Sequence, residues 1–539
     1  MARSIAFPFK MVFVALLVAT IGACSNSSQP TEQFVVGIDA QPERLDPLTM
    51  KNPKNFILSW QIYEGLLGLD EAGQIMPMLA KSWDTQDYTT WRFHIRSGVN
   101  FHSSELFGSP PRSRPVTAQD VVASYTAFCS AAAYPAFLLM DSVKGCADYN
   151  AGKAKQVEGV VAVDDHTVEM RLIKPEPFFL NRLTTAWIAI FPTEALDPKY
   201  KDTWGLSLAV GTGPFQLVSQ SDSEIVLKQN PDYWGKHVKG GITSLLFRVI
   251  KNDQVRLVEL EKGGIDMMLL PPSLFPEALE PNGALKTNYT AKYRVKDYRT
   301  FNSHMLGFNL LKVPDVHLRR AMNYGVDRKQ IVQKLLYGYA DVTGGTVPPG
   351  INGYVPPFDI DKLYDPTLAR EELAKSNYNG EPIELLVHEQ GAAEQIGQLL
   401  QAQMKSLGIT IQLTKLDFNS VLGRIVKGDT SMFSVFIDYV FSSPEPILIN
   451  MFSSSKRPVP NFWQFSDPVV DDELEGLRNL KPAESARRSA HIEAQIMDEV
   501  PGIFLFRQKG VVLYSKKFDT LPINAHGHFD FNALAEPAQ

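Results

Sequence analysis

From Ile383 to Leu413 the chain reads as a strand, a helix and a second strand in direct succession. Ile383 to Val387 is short and mostly apolar, Ala392 to Leu407 repeats its apolar residues at helical spacing and stops at Gly408, and Ile409 to Leu413 alternates. A helix between two strands brings the chain back to the starting end of the sheet, so this unit requires a parallel strand pair with the helix packed on it. Asp327 and Gln330 stand at capping-box spacing just before the apolar stripe Ile331, Val332, Leu335 and Leu336, which starts another helix. An α/β domain is therefore expected from about residue 300 to 505. With 539 residues the chain exceeds the size at which one hydrophobic core stops growing, about 250–300 residues, so two or three domains are required.

The first half is built differently. Phe34 to Ile38 is an apolar run of strand length followed by a turn-prone segment from Gln41 to Pro47. Trp91 to Ile95 alternates as a strand, and Thr117 with Asp120 caps a helix whose Val121, Val122, Tyr125 and Phe128 share a face. Ser103 to Arg114, polar and carrying Gly108, Pro110 and Pro111, reads as an exposed insertion. This is an α+β segment.

Residues 1–23 read as a targeting segment. Arg3 and Lys10 precede an apolar run from Met11 to Gly22, too short at 12 residues to span a bilayer, which needs about 20. The run ends Ile21-Gly22-Ala23-Cys24, which resembles the bacterial lipobox, in which the cysteine is acylated and becomes the new N-terminus. An ordinary signal peptide with an incidental cysteine is the alternative. Loss of Arg3 and Lys10, with no acid, takes the formal charge from -6 to -8, an acidity that argues against a nucleic-acid partner. Cys129 and Cys146 are then the two cysteines left in a compartment where disulfides persist, and a bond between them is expected; two buried free thiols are the alternative.

No nucleophile elbow, Walker lysine loop, H-E-x-x-H or C-x-x-C motif is present, so nothing in the sequence supports an enzyme. His102 with Glu105, and His526 with His528, have spacings that metals use, but no third ligand stands near either pair, which favours structural roles.

Several ordered blocks together resemble one family. Tyr63-Glu64-Gly65-Leu66-Leu67-Gly68-Leu69, Pro77-Met78-Leu79-Ala80-Lys81-Ser82-Trp83 and Trp91-Arg92-Phe93-His94-Ile95 open the resemblance. Gly211-Thr212-Gly213-Pro214-Phe215, Asn230-Pro231-Asp232-Tyr233-Trp234, Gly307-Phe308-Asn309 and Leu318-Arg319-Arg320-Ala321-Met322 continue it. In order and spacing they are similar to the large peptide/nickel-type (family 5) solute-binding proteins of ABC importers.

The resemblance implies an α/β, two-lobed periplasmic-binding-protein-like fold of the three-domain type, with a ligand cleft between the lobes. Its implied limits are 1–23 signal peptide, 24–33 anchor and linker, 34–58 and 191–298 in the core of the first lobe, 59–190 an additional domain of that lobe, 299–506 the second lobe, and 507–539 a return to the first. It implies no catalysis and no cofactor. The implied partners are a peptide or other small solute, a membrane permease and, through Cys24, the bacterial envelope membrane on its periplasmic side; the chain itself is expected to be a monomer. Ser25 resembles the outer-membrane sorting choice, whereas an importer component is more useful at the inner membrane.

Ligand contacts are implied at Ala40, Gln41, Pro42 and Glu43 after the first strand, and between Asp438 and Pro446. Oligopeptide binders carry an aspartate for the ligand ammonium where this chain has Ser442, and Tyr439 stands where a tryptophan is frequent. Either Asp438 or Glu445 takes over that role, or the ligand has no ammonium, or both acids simply hold the loop. Tyr439, Phe441, Phe462 and Trp463 either line an apolar cleft or belong to the core. Arg507 either meets a ligand carboxylate or serves an interdomain ion pair.

Overall fold

A computed structural model describes residues 33–51, 55–351, 354–356, 359–389, 392–439, 443–477, 480–524 and 527–535. The leader, Cys24, Phe441 and Ser442 lie outside the described residues, as does the side chain of Asp438.

Two large sheets organise the molecule. The first runs Tyr293–Tyr298, Gly510–Ser515, Met267–Leu269, Gln33–Ile38, Ser244–Val249, Glu224–Gln229, Phe215–Gln220. Gln33–Ile38 is central and pairs in parallel on both sides, which is why Phe34 and Val36 are almost fully buried. Phe34 packs edge-on against Phe518 at 4.9 Å, so the C-terminal segment closes the core that the first strand opens.

The second sheet runs Ala340–Val342, Gly502–Gln508, Asn302–Phe308, Met432–Asp438, Ile383–His388, Ile411–Leu416. Ile383–His388 and Ile411–Leu416 pair in parallel through the helix Ala393–Leu407, which buries Ile396, Leu400 and Met404 and ends at Gly408 with φ 86°. The second strand starts two residues later than its alternation suggests, because the Ile409 amide donates to the Met404 carbonyl and finishes the helix. Asp327 caps Arg328–Leu336 by accepting from the Gln330 amide at 2.9 Å. Asn302–Phe308 runs antiparallel to both neighbours, so the sheet is mixed. Gly502–Gln508 extends two residues past the limit of 506, which places Arg507 in the second sheet and moves the return crossing to Lys509.

A four-stranded antiparallel sheet, Ala80–Thr85, Thr90–Ile95, Thr167–Arg171, Val160–Asp164, packs against the helix Ala118–Phe128. Thr117 and Asp120 make the full capping box, and Asp120, 1% exposed, also binds Arg114 and Thr193. Cys129 and Cys146 are disulfide-bonded, tying the end of this helix to Cys146–Asn150. The polar insertion is only partly exposed: Ser104 caps a short turn and is buried with Leu106, leaving 109–113 in solvent.

Candidate functional site

Two adjacent crossings join the sheets, Arg299–Phe301 and Lys509. Asn302 clamps them together: its Oδ1 accepts from the Gln508 amide at 2.9 Å and its Nδ2 donates to the Gln508 carbonyl at 3.1 Å. Away from the crossings, residues between Phe137 and Arg182 meet the second lobe. Lys174 pairs with Glu475 at 2.8 Å between exposed ends, a contact of small energetic weight. Buried Arg182 binds Glu176 at 2.5 Å and Asp141 at 3.3 Å. Burial alone would lower its pKa, but Glu176, Asp141 and, from the second lobe, Glu445 outweigh it and hold the guanidinium charged.

Beside this contact lies a cavity of about 480 Å³. Phe137, Met140 and Asp141 line it from the first lobe; Ile437, Tyr439, Ile447, Asn450, Met451, Lys456 and Phe462 line it from the second. Each wall has a local origin. The helix Pro444–Phe452 presents Ile447, Asn450 and Met451, spaced i, i+3, i+4, on one face. In the segment Phe137–Asp141, Leu138 and Leu139 point into the core, which leaves Phe137, Met140 and Asp141 toward the cavity.

Tyr439 and Phe462 are thus brought together on the second lobe. Tyr439 is 8% exposed; burial, then the nearby Glu493, push its phenol above the ordinary range. Glu445 is buried in the first turn of its helix, turned to the electrostatics of Arg182. Ala40 lines a different cavity, with Asp253, Tyr298 and Gln508. Gln41 is half-buried and Glu43 exposed, while Pro42 is buried and accepts from Gln220 Nε2 at 3.4 Å. None of these four lines the interlobe cavity.

Trp463 belongs to the core alternative. It is 0% exposed and packed among Phe452, Phe433 and Phe462 with centroids 5.3 to 6.3 Å away. Arg507, 1% exposed, binds Asp341 at 2.6 Å and the Pro349 carbonyl. Its ion pair with Asp341 lies inside the second sheet, so that pair does not bridge the lobes. Burial works to raise the Asp341 carboxyl, but Arg507 and Lys509 outweigh it and hold it below its ordinary value.

The metal spacings have structural uses. Buried His102 donates from Nε2 to the Gly213 carbonyl at 2.9 Å and accepts the Gly211 amide on Nδ1 at 3.3 Å, and burial lowers its pKa to about 4, so it is a neutral tether. His528 stacks on Trp60, and His526 lies outside the described residues. Among the described residues no three His, Cys, Asp or Glu side chains are placed to hold a metal ion.

Glu493 was not legible as special. It sits in the helix Pro482–Asp498, 1% exposed, accepting the Val347 amide at 2.8 Å. Burial pushes its carboxyl from 4.5 up to about 7. Below pH 4.5 the group is neutral in both states and costs nothing. As pH rises through the window from 4.5 to about 7 the unfolded chain ionises first, so stability falls. The variant Glu493→Gln lacks this loss and is expected to be more stable than the parent by about 3 kcal/mol at pH 8 and equal to it at pH 4. Urea unfolding at the two pH values checks this; an equal difference at both contradicts it.

Three comparisons place this geometry. The model of the bacterial extracellular solute-binding proteins, family 5 middle region, matches residues 74–458. The chain is 26% identical to the periplasmic oligopeptide-binding protein OppA of Salmonella typhimurium, over 84% of this chain and 82% of that protein. It is 25% identical to the probable D,D-dipeptide-binding periplasmic protein DdpA of Escherichia coli, over 96% of each. It is 26% identical to the glutathione-binding protein GsiB of E. coli K12, over 97% of each. In fold it superposes on the unliganded open form of the periplasmic murein tripeptide binding protein MppA with a TM-score of 0.78, at 20% identity, covering 94% of this chain and 97% of that one. The two-lobed α/β architecture is that of these binding proteins, which are not enzymes, and the chain belongs to the bacterial extracellular solute-binding proteins of family 5.

Proposed function

We propose that the chain captures a short peptide between its lobes, on the periplasmic side of a bacterial membrane to which acylated Cys24 anchors it, and delivers it to an ABC permease. The charge arrangement of the interlobe cavity carries this reading. Among its described lining residues Asp141, from the first lobe, is the one carboxylate, and Lys456, from the second, is the one cation; the walls are otherwise largely apolar. A zwitterion with apolar side chains is the complement: ammonium on Asp141, carboxylate on Lys456, side chains on Phe137, Met451 and Phe462. Arg182 and Ser142 both reach Asp141 through Oδ1, which leaves Oδ2 for a ligand. The volume lies within the ~300–1,000 Å³ of small-molecule sites. Relatives named for oligopeptides, D,D-dipeptides and glutathione support the same ligand class.

In this reading the lobes turn about Arg299–Phe301 and Lys509, with 299–508 as the second lobe, and closure removes water from both charges. No bond is made or broken. In this reading Asp141, rather than Asp438 or Glu445, supplies the acid for the ligand's amine. Asp141→Asn and Lys456→Gln are each expected to weaken binding of a free dipeptide such as Ala-Phe about tenfold to hundredfold, the range set by losing one charged hydrogen bond of ~1.5–3 kcal/mol. Calorimetry with free, N-acetylated and C-amidated dipeptides tests it: each blocked end should mimic one variant. Equal binding of free and blocked peptides overturns the assignment.

A further inference from the structure

A second cavity, of about 380 Å³, lies within the first lobe, between the helix Phe56–Ile62, the hairpin of Leu67–Leu69 with Ile75–Pro77, and the described residues Pro522, Ile523, Asn524, His528, Asp530 and Asn532. It shares no lining residue with the interlobe cavity. Its charge is one-sided: Glu64 lines it buried, Asp70, Glu71 and Asp530 line it exposed, and no Lys or Arg is among its described lining residues. Its aromatic walls are fixed in place. Trp60 stacks on His528 at 4.7 Å, and Tyr233 and Trp234 donate to Glu64 at 3.0 and 2.7 Å.

Two further lining residues, Gln61 and Thr185, are each more than nine-tenths buried and hold an oxygen with no partner, Gln61 Oε1 and Thr185 Oγ1. The Gln61 amide cannot exchange its ends, because Nε2 already donates to the Ile57 and Phe529 carbonyls at 3.1 and 3.0 Å. What remains is an acceptor that seeks a donor. Arg96 stacks over Trp234 at 4.7 Å without lining the cavity, so this wall already serves one cation of the protein and Trp60 is the ring left for a solute.

We propose that this cavity is a second ligand site, selective for an organic cation: a compact primary or secondary ammonium on an apolar or aromatic body, whose N–H groups can donate to the free oxygens of Gln61 and Thr185. Anions are repelled by the exposed carboxylates of Asp70 and Glu71. A neutral aromatic gains the rings but not the charges, whereas a cation gains both.

The mature full-length protein is titrated calorimetrically with benzylammonium, benzyl alcohol and benzoate. Saturable binding of one benzylammonium is expected, about tenfold or more tighter than benzyl alcohol, with none for benzoate. Trp60→Leu should weaken it about tenfold, the exposed double change Asp70→Asn with Glu71→Gln severalfold at low salt, and Phe462→Ala not at all. Absence of binding, equal binding of benzyl alcohol, or loss on Phe462→Ala instead of Trp60→Leu overturns the site. Should Trp60→Leu fail to fold, the exposed double variant decides alone, since unchanged cation affinity in it also overturns the proposal.

Discussion

At pH 4, where the carboxyl is neutral in both the folded and unfolded states and carries no ionisation cost, Glu64→Ala is expected to lower the unfolding free energy by about 4 kcal/mol. Glu64 is 5% exposed and accepts from Thr212 Oγ1 and Trp234 Nε1, each at 2.7 Å, and from the Tyr233 hydroxyl at 3.0 Å. Burial raises its carboxyl to about 7, with the three donors and Arg96 working against the rise. Removing the side chain strands three donors at once, each costing ~1–3 kcal/mol, in a wall that cannot relax easily. The wall is tight because a Cβ on Gly211 would sit 2.0 Å from the Ile62 carbonyl oxygen. Glu64 therefore ties the end of the helix Phe56–Ile62 to the segments around Thr212 and Trp234. Glu64→Gln, which keeps an acceptor, should lose clearly less. A loss under about 1 kcal/mol for Glu64→Ala, read from urea midpoints at unchanged slope, contradicts this account.

Trp463→Ala is expected to cost about 3–5 kcal/mol, the range for deleting a buried aromatic, while leaving ligand affinity of the folded protein within about twofold. The indole packs against Phe452 and Phe433 in the second-lobe core and lines no described cavity wall of the cleft. Phe462→Ala should behave oppositely, because Phe462 is half-buried and lines the cavity: a smaller stability loss and weaker ligand binding. Thermal unfolding with and without peptide separates the two. An affinity loss for Trp463→Ala as large as that for Phe462→Ala contradicts the placement.

These neighbours show where sequence reading stops. Phe462 and Trp463 are both aromatic and adjacent in sequence, yet one faces the cavity and the other the core; no local pattern distinguishes them. Features with local causes were legible. The Asp327 and Thr117 caps act within three residues, and the strand–helix–strand unit lies within one stretch of chain. Arg507 is the contrary case, since its role is set by Asp341, its register partner 166 residues earlier. The cavity is less legible still. Asp141 and Lys456 approach only because the chain crosses between the sheets, and Asp141 sits beside a short apolar run that reads as core alone. The Ile447, Asn450, Met451 face was available to periodicity after Pro444, although its partner across the cleft was not. Glu493 was hidden because burial, not residue type, makes it unusual.

Whether a short peptide is held between the lobes is decided by native mass spectrometry of the mature protein, purified without denaturation, followed by release and identification of the bound mass. Short peptides with free ends and apolar side chains are expected, diminished in Asp141→Asn and Lys456→Gln. A single non-peptide species that stays bound in both variants would contradict peptide capture.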